Sequence, residues 1–235
     1  MKTWMWLALP AFVLLGVYLY IRLVWFYRDP VRHAPAAENA ILAPCDGTVV
    51  YVKPFWNGIV TCEKLGEAIP VSEICKAPGY GGDGWVLGVY MSPLDVHFNY
   101  APVRARVAGV VRTQAELNLP MVDLWEYVKL TYLRRAVDLF ASRYRLVNER
   151  NTIFLEGAGG RPCPNIAMVE IADKFVNKIR CFVKTGDLVL PGQKVSFIDR
   201  GSQVDLIVYE KNLKFYVKPG DRVIGGVTVV AEYSG

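Results

Sequence analysis

From Ile41 onward the apolar residues arrive in short runs broken by Gly and Pro, and this rhythm constrains the fold more than any other feature. The runs are Ile41-Leu42, Thr48–Val52, Gly58–Cys62, Trp85–Tyr90, Val103–Val111, Thr152–Leu155, Ala167–Ile171 and Lys178–Val183, with two more on either side of Gly201-Ser202. An amphipathic helix needs ten or more residues at a 3.6-residue period, whereas runs of this length between turn residues read as strands. The expectation is a mainly β domain over residues 41–235, a compact β sandwich or barrel. Val183-Lys-Thr-Gly-Asp and Val217-Lys-Pro-Gly-Asp echo each other, each a Gly-Asp turn ahead of a strand. Such paired turns also occur in carrier-type β modules.

Two stretches depart from the strand rhythm. Between Pro120 and Leu146, Trp125, Val128, Tyr132, Ala136, Leu139 and Phe140 recur at spacings of three or four. This predicts one inserted helical segment, packed on the sheet or lying basic side down on an anionic membrane. The other stretch is Trp4–Phe26, uncharged until Arg22. About 20 apolar residues suffice for a membrane-spanning helix. Aromatic residues gather toward both ends, and Arg22, Arg28 and Arg32 on one side outnumber Lys2 on the other. The positive-inside rule then puts the body of the protein in the cytoplasm. The predicted layout is a single-pass transmembrane anchor over residues 1–28 in the cell membrane, a polar linker over 29–40, and the β domain. A cleaved signal peptide fits less well, because the apolar run is long and arginines precede the loose Ala34-Pro35-Ala36 site.

Composition narrows the function. The chain is 53% hydrophobic and 21% charged, with a net charge of +5 and a mean hydropathy of +0.23. The charge suits an anionic surface or substrate, but no basic stripe or nucleic-acid motif accompanies it, so no nucleic-acid partner is expected. Cys45, Cys62, Cys75, Cys163 and Cys181 are odd in number and contain no C-x-x-C. Neither a disulfide framework nor a metal site is indicated, and free thiols are expected.

Three short motifs carry candidate chemistry. Gly201-Ser202 lies between two strand runs, where Gly marks a bulge or a close backbone approach and Ser can bring a hydroxyl against the preceding carbonyl. Asp46, in Pro44-Cys-Asp-Gly-Thr48, occupies a turn between strands. His97 closes Ser92-Pro-Leu-Asp-Val-His97 and is the only histidine in the predicted folded body, hence the obvious candidate for a general base near neutral pH. Asn148-Glu-Arg150 reads as a cap or ion-pair cluster.

Taken together, Pro44–Val49, Met91–Val103, Asn148–Arg150, Ile171-Ala172 and Gly201–Asp205 resemble, in order and spacing, the phosphatidylserine decarboxylase family in its short, proteobacterial and archaeal-like form. The resemblance spans roughly Ile41 to Val208. It implies self-cleavage between Gly201 and Ser202, with Ser202 becoming a covalent pyruvoyl cofactor and the two chains staying together as a heterodimer. It implies that a serine phospholipid, phosphatidylserine or its archaeal ether-linked analogue, is decarboxylated through a Schiff base to that group. His97 matches the family's first motif histidine and the donor of the final proton. Asp46 matches the acidic residue of the self-processing apparatus. Longer members carry a second histidine where this chain has Tyr100, so either His97 serves both steps or Asp46 activates Ser202 through water. Gln203 likewise departs from the residue usual after the serine. Two other readings stand beside this one: a membrane-anchored relative that never processes, and a lipoyl- or biotin-type carrier modified at Lys174.

Overall fold

A computed structural model describes residues 3–37, 39–62, 66–133, 135, 137–158, 163–174, 179–199 and 202–234, with side chains from residue 9 onward. In chain order the elements are α1 (Thr3–Tyr20), continued by a π-helical turn at Ile21–Trp25, then β1 (Ala40–Leu42), β2 (Gly47–Trp56), β3 (Ile59–Cys62), β4 (Glu67–Pro70), α2 (Val71–Cys75), β5 (Gly84–Met91), β6 (Phe98–Tyr100) and β7 (Ala105–Thr113). There follow α3 (Leu124–Thr131), α4 (Tyr144–Val147), β8 (Arg150–Gly157), β9 (Ile166–Ala172), β10 (Ile179–Cys181), β11 (Leu188–Val189), β12 (Lys194–Ile198), β13 (Ser202–Val208), β14 (Leu213–Phe215), β15 (Arg222–Val223) and β16 (Val229–Tyr233). The mainly β expectation holds.

One long antiparallel sheet runs β11-β7-β8-β9-β13-β5-β2-β3-β4, with β15 also on β2. It is open, ending on β11 and β4, so the barrel alternative is not what forms. The strand β13 lies at its centre, with Ser202 opposite Met91 of β5 and Ala172 of β9. Every residue of β13 is buried, as expected of a strand covered on both faces. One face, carrying Val204 and Leu206, packs under two three-stranded sheets, β1-β16-β14 and β10-β12-β6, through Ile41, Ala231, Val195 and Ile198. The other, carrying Ile207, Tyr51 and Phe55, packs under α2 and the 119–146 region through Ile74, Leu139, Phe140 and Tyr144.

The echoed turns are superimposable devices. In each, the lysine N–H donates to the aspartate Oδ2 at 2.9 Å, and the aspartate N–H donates back to the lysine carbonyl at 3.1 Å. In each, the glycine sits at positive φ, +95° at Gly186 and +99° at Gly220, which a residue with a Cβ would resist. Each glycine N–H docks on a long strand, on Val107 of β7 and on Val49 of β2, both at 2.8 Å.

The inserted segment departs from expectation. It is not one helix but two short ones, α3 and α4, with an irregular stretch between. The first is fixed by a capping box: Glu126 N–H donates to Asp123 Oδ1 at 2.7 Å, and Asp123 N–H to Glu126 Oε2 at 3.1 Å. Continuing that helix would have to compete with burial of Leu139 and Phe140 in the sheet's back core, and tertiary packing overrides the period. Arg134 and Ala136, part of the predicted helix, lie outside the described residues.

At the N-terminus, Leu9, Phe12, Val13, Leu14, Val17 and Leu19 are all exposed on α1. Among the described residues no helix is long and apolar enough to cross a membrane. The side chains of the first eight residues, Trp4 and Trp6 included, lie outside the described set.

Candidate active site

Ser202 opens β13 and is fully buried. By strand alternation its side chain shares the face of Val204 and Leu206, and its hydroxyl donates to Met91 Sδ at 3.1 Å. A thioether is a weak acceptor, so the hydroxyl is held without being strongly satisfied. Gly201, the other half of the predicted cleavage site, lies outside the described residues.

His97 lies in the turn between β5 and β6, also fully buried. Its Nδ1 is 2.9 Å from the Asp95 carbonyl oxygen. A carbonyl can only accept, so Nδ1 carries the proton and Nε2 presents a lone pair. That Nε2 is buried with no hydrogen-bond partner among the described residues. Burial pushes the imidazole pKa down to about 4, outweighing Asp95 and Asp46, so the ring is neutral at physiological pH. Its backbone carbonyl accepts from Ile198 N–H at 3.1 Å, where β12 ends. From Ile198 the chain leads through Asp199 toward Ser202. His97 and Ser202 thus bracket the connection that holds the predicted scissile bond.

Asp46 bears on the His97 ring only through its charge. Both its oxygens are taken by Arg32, Nη1 to Oδ1 at 2.6 Å and Nη2 to Oδ2 at 2.8 Å, and Oδ1 also accepts from Gly225 N–H at 2.8 Å. The Arg32 guanidinium lies 4.8 Å from the ring centroid of Tyr100. Among the described residues, no hydrogen bond of Asp46 reaches His97 or Ser202.

Two polar clusters lie near Ser202, and of their members Asn99, Gln203 and Asp205 fall in motifs noted from the sequence. Glu170 of β9 is fully buried on the same sheet face as Ser202, opposite Val204. It accepts from Asn151 Nδ2 at 2.9 Å, from Asn99 Nδ2 at 3.2 Å and from the Ser196 hydroxyl. Burial pushes its carboxyl up to about 7, and those three donors pull the other way. A signal for it existed, since Glu is the one charged residue inside the otherwise apolar run Ile166–Ala172.

On the opposite face, Gln203 and Asp205 join Tyr51, Tyr144 and Arg145. Tyr144 donates to Gln203 Oε1, and Gln203 Nε2 donates to Tyr51 Oη and to Asp205 Oδ1, each at 2.6 Å. Tyr51 donates to Asp205 Oδ1 at 2.5 Å. Arg145 lies 3.8 Å from Asp205 Oδ2, with its guanidinium 3.7 Å from the Phe140 ring centroid. Burial raises the Asp205 carboxyl and the Arg145 charge opposes that rise. Tyr144 and Arg145 come from α4, so the inserted segment locks the back of the strand that begins at Ser202. Asn148 and Arg150 are structural, as read: Asn148 Nδ2 donates to the Ala172 carbonyl at 2.7 Å, and Arg150 Nη1 to the Ile74 and Arg145 carbonyls at 2.8 Å.

With this geometry in place, the chain matches the family model for phosphatidylserine decarboxylase over residues 19–231. The chain belongs to the phosphatidylserine decarboxylase family. It is 30% identical over 209 residues to a protein of Methanocaldococcus jannaschii named as an archaetidylserine decarboxylase proenzyme, covering 88% of each chain. It is 31% identical to the phosphatidylserine decarboxylase proenzyme of Saccharopolyspora erythraea, over 88% of this chain and 72% of that one. It is 28% identical to that of Carboxydothermus hydrogenoformans, over 98% of this chain and 86% of that one. Membership of the phosphatidylserine decarboxylase family covers both halves of the long sheet and leaves the carrier reading at Lys174 without support.

Proposed function

We propose that the chain is a proenzyme that cuts itself between Gly201 and Ser202 and then decarboxylates a serine phospholipid, phosphatidylserine or archaetidylserine, to the corresponding ethanolamine lipid and CO2. The observation that carries this reading is that His97 is tied by its backbone to Ile198, just ahead of the short connection that ends at Ser202, within a chain of this family.

In the self-cleavage, the Ser202 hydroxyl oxygen adds to the Gly201 carbonyl carbon as its proton passes to a base. The Gly201–Ser202 C–N bond breaks and an ester forms. Elimination across Cα–Cβ of residue 202 releases the Gly201 carboxylate and leaves dehydroalanine. Its imine tautomer takes up one water and loses ammonia, leaving a pyruvoyl end. The bare Nε2 of His97 is the base favoured by this geometry, since Arg32 occupies both oxygens of Asp46. Asp46 then acts on maturation through the local field and by holding Gly225 and Arg32.

The residues around position 202 fit a pyruvoyl group. The site is dry and apolar around Met91, a buried unpartnered nitrogen is available at His97, and residues 203–208 keep the new chain end in the ladder between β5 and β9. When present, that group supplies an electron-withdrawing carbonyl that condenses with the substrate amine, so no other cofactor is required. His97 returns a proton to the product carbon. The shared serine headgroup accounts for relatives named for either lipid.

Localisation follows from the N-terminal sequence. Within the predicted run Trp4–Phe26 we read α1 as a single-pass anchor, supported by its exposed apolar side chains and by Arg22, Arg28 and Arg32 on the cytoplasmic side, with Trp25 and Phe26 packed on the domain outside the span. The two self-cleavage chains form a heterodimer.

The test is the mass and N-terminus of the purified protein. The expected result is two chains, Met1–Gly201 and a short chain from residue 202 that resists Edman degradation. That short chain should be lighter than its Ser-initiated form by about 17 Da, one ammonia by formula arithmetic on the nucleophilic chemistry above. Ser202→Ala gives one uncut chain with no decarboxylase activity. Recovery of folded native protein only as an intact chain refutes this reading in favour of a non-processing relative.

A further inference from the structure

The segment read as the end of the anchor and the start of the linker is packed on the site. We propose that Phe26 is a positioning residue for His97, and that the strap Trp25–Arg32 forms one wall of the active site, shutting water from the imidazole and fixing its ring. The inference rests on the assignment of His97 to the chemistry.

The contacts lie on both sides of His97. On the side of the preceding turn, Trp25 Nε1 donates to the Leu94 carbonyl at 3.1 Å and Arg28 Nη2 to the same oxygen at 2.7 Å. Arg28 stacks on Trp25 at 4.2 Å and also donates to the Trp25 carbonyl at 2.9 Å, so the strap closes on itself. On the side leading to the scissile bond, Tyr27 stacks on Phe197 with centroids 5.7 Å apart and planes 16° apart, and its hydroxyl donates to Asp199 Oδ1 at 3.1 Å. Between them Phe26 is buried, its ring centroid 4.0 Å from that of His97. Further on, Asp29 pairs with Lys194 at 2.5 Å and Arg32 with Asp46. Six residues of the strap thus tie the end of the N-terminal helix to the His97 turn, to the approach to Ser202 and to Asp46. A flexible tether needs none of these contacts.

The physical consequence is specific. Nδ1 of His97 is held by the Asp95 carbonyl, and the face of the ring is held by Phe26. The charged groups bearing on the ring are Asp95, which Arg222 pairs, together with Arg28 and Asp46. Burial outweighs them all, and Phe26 supplies part of that burial. Removing its ring opens a path for water to a buried imidazole, whose midpoint should climb from about 4 toward its ordinary 6.5.

The test uses the full chain in detergent, carrying Ser202→Ala so that one uncut species is present. The chain has only two histidines, His33 and His97, so His33→Gln leaves a single imidazole for 15N NMR. With Phe26 intact, His97 should remain neutral, protonated on Nδ1, down to about pH 5. Phe26→Ala should raise its midpoint by at least one pH unit, and Phe26→Tyr should restore it. In the cleavable chain Phe26→Ala should slow self-cleavage several-fold, with recovery in Phe26→Tyr. If Phe26→Ala fails to fold, Phe26→Leu, which keeps most of the volume, should show a smaller rise in the same direction. An unchanged His97 midpoint in a folded Phe26→Ala or Phe26→Leu chain overturns the proposal, whatever happens to cleavage. Full cleavage and turnover by His97→Gln would instead remove His97 from the chemistry, a failure of the functional reading that the titration separates from a failure of the strap.

Discussion

Glu170→Gln should change how stability depends on pH, and the size of the change follows from where Glu170 sits. Its carboxyl is fully buried with three hydrogen-bond donors and, among the described residues, no cation on it, and its pKa moves from the ordinary 4.5 up to about 7. The folded chain then binds this proton more tightly than the unfolded chain. The resulting stabilisation is complete below about pH 4.5 and is lost as pH rises through about 7. At about 1.36 kcal/mol per pH unit, the loss is roughly 3 kcal/mol by pH 8. Gln cannot titrate, so the variant escapes that loss while giving up about 1 kcal/mol of hydrogen bonding at every pH. It should be slightly less stable than the parent at pH 5 and more stable at pH 8, the gap moving by about 2–3 kcal/mol, or about 4–12 °C in Tm for a domain of this size. His97 acts with the opposite sign: its midpoint is lowered from 6.5 to about 4, so stability is lost as pH falls through that window. The two largely cancel in the parent chain, which is why the difference between variant and parent is the quantity to measure. Denaturant unfolding of both chains on the Ser202→Ala background, from pH 5 to pH 8, gives it directly. A gap that moves by less than about 1 kcal/mol across that range would show that Glu170 stays ionised when folded, and the reasoning would fail.

The back of β13 offers a second test. Asp205→Leu strands the buried Arg145 and should cost about 3–5 kcal/mol, while Asp205→Leu with Arg145→Met should recover most of it, as read from a double-mutant cycle of unfolding free energies. Tyr144→Phe leaves Gln203 Oε1 without its donor, should cost about 1–3 kcal/mol and should slow the appearance of the two chains in a cleavage time course. Gly47→Ala would place a Cβ 2.2 Å from the Tyr90 carbonyl oxygen, forcing β2 from β5 beside Asp46; the protein should fail to accumulate as folded material in a solubility assay.

Much of this protein was legible in the sequence because the signals are local. Gly and Pro set the strand lengths, and Lys-x-Gly-Asp fixes its turn through bonds spanning three residues, so both copies could be read without knowing what they dock on. The motifs at Asp46, His97 and Gly201-Ser202 are contiguous and stand out as such. The 120–146 segment misled because helical spacing reports an amphipathic stretch but not whether its apolar residues are better buried off the helix, as Leu139 and Phe140 are.

What the tertiary structure alone decided are the partnerships between distant positions. Arg32 closes on Asp46, Phe26 covers His97 from 71 positions away, Glu170 sits among Asn99, Asn151 and Ser196, and Tyr51 reaches across 154 positions to Asp205. In a chain read as text, Phe26 ends a hydrophobic run and Arg32 is one charge in a linker. Their roles arise because folding buries His97 fully and Asp46 in part, and there each ring and each charge is defined by the group that covers it.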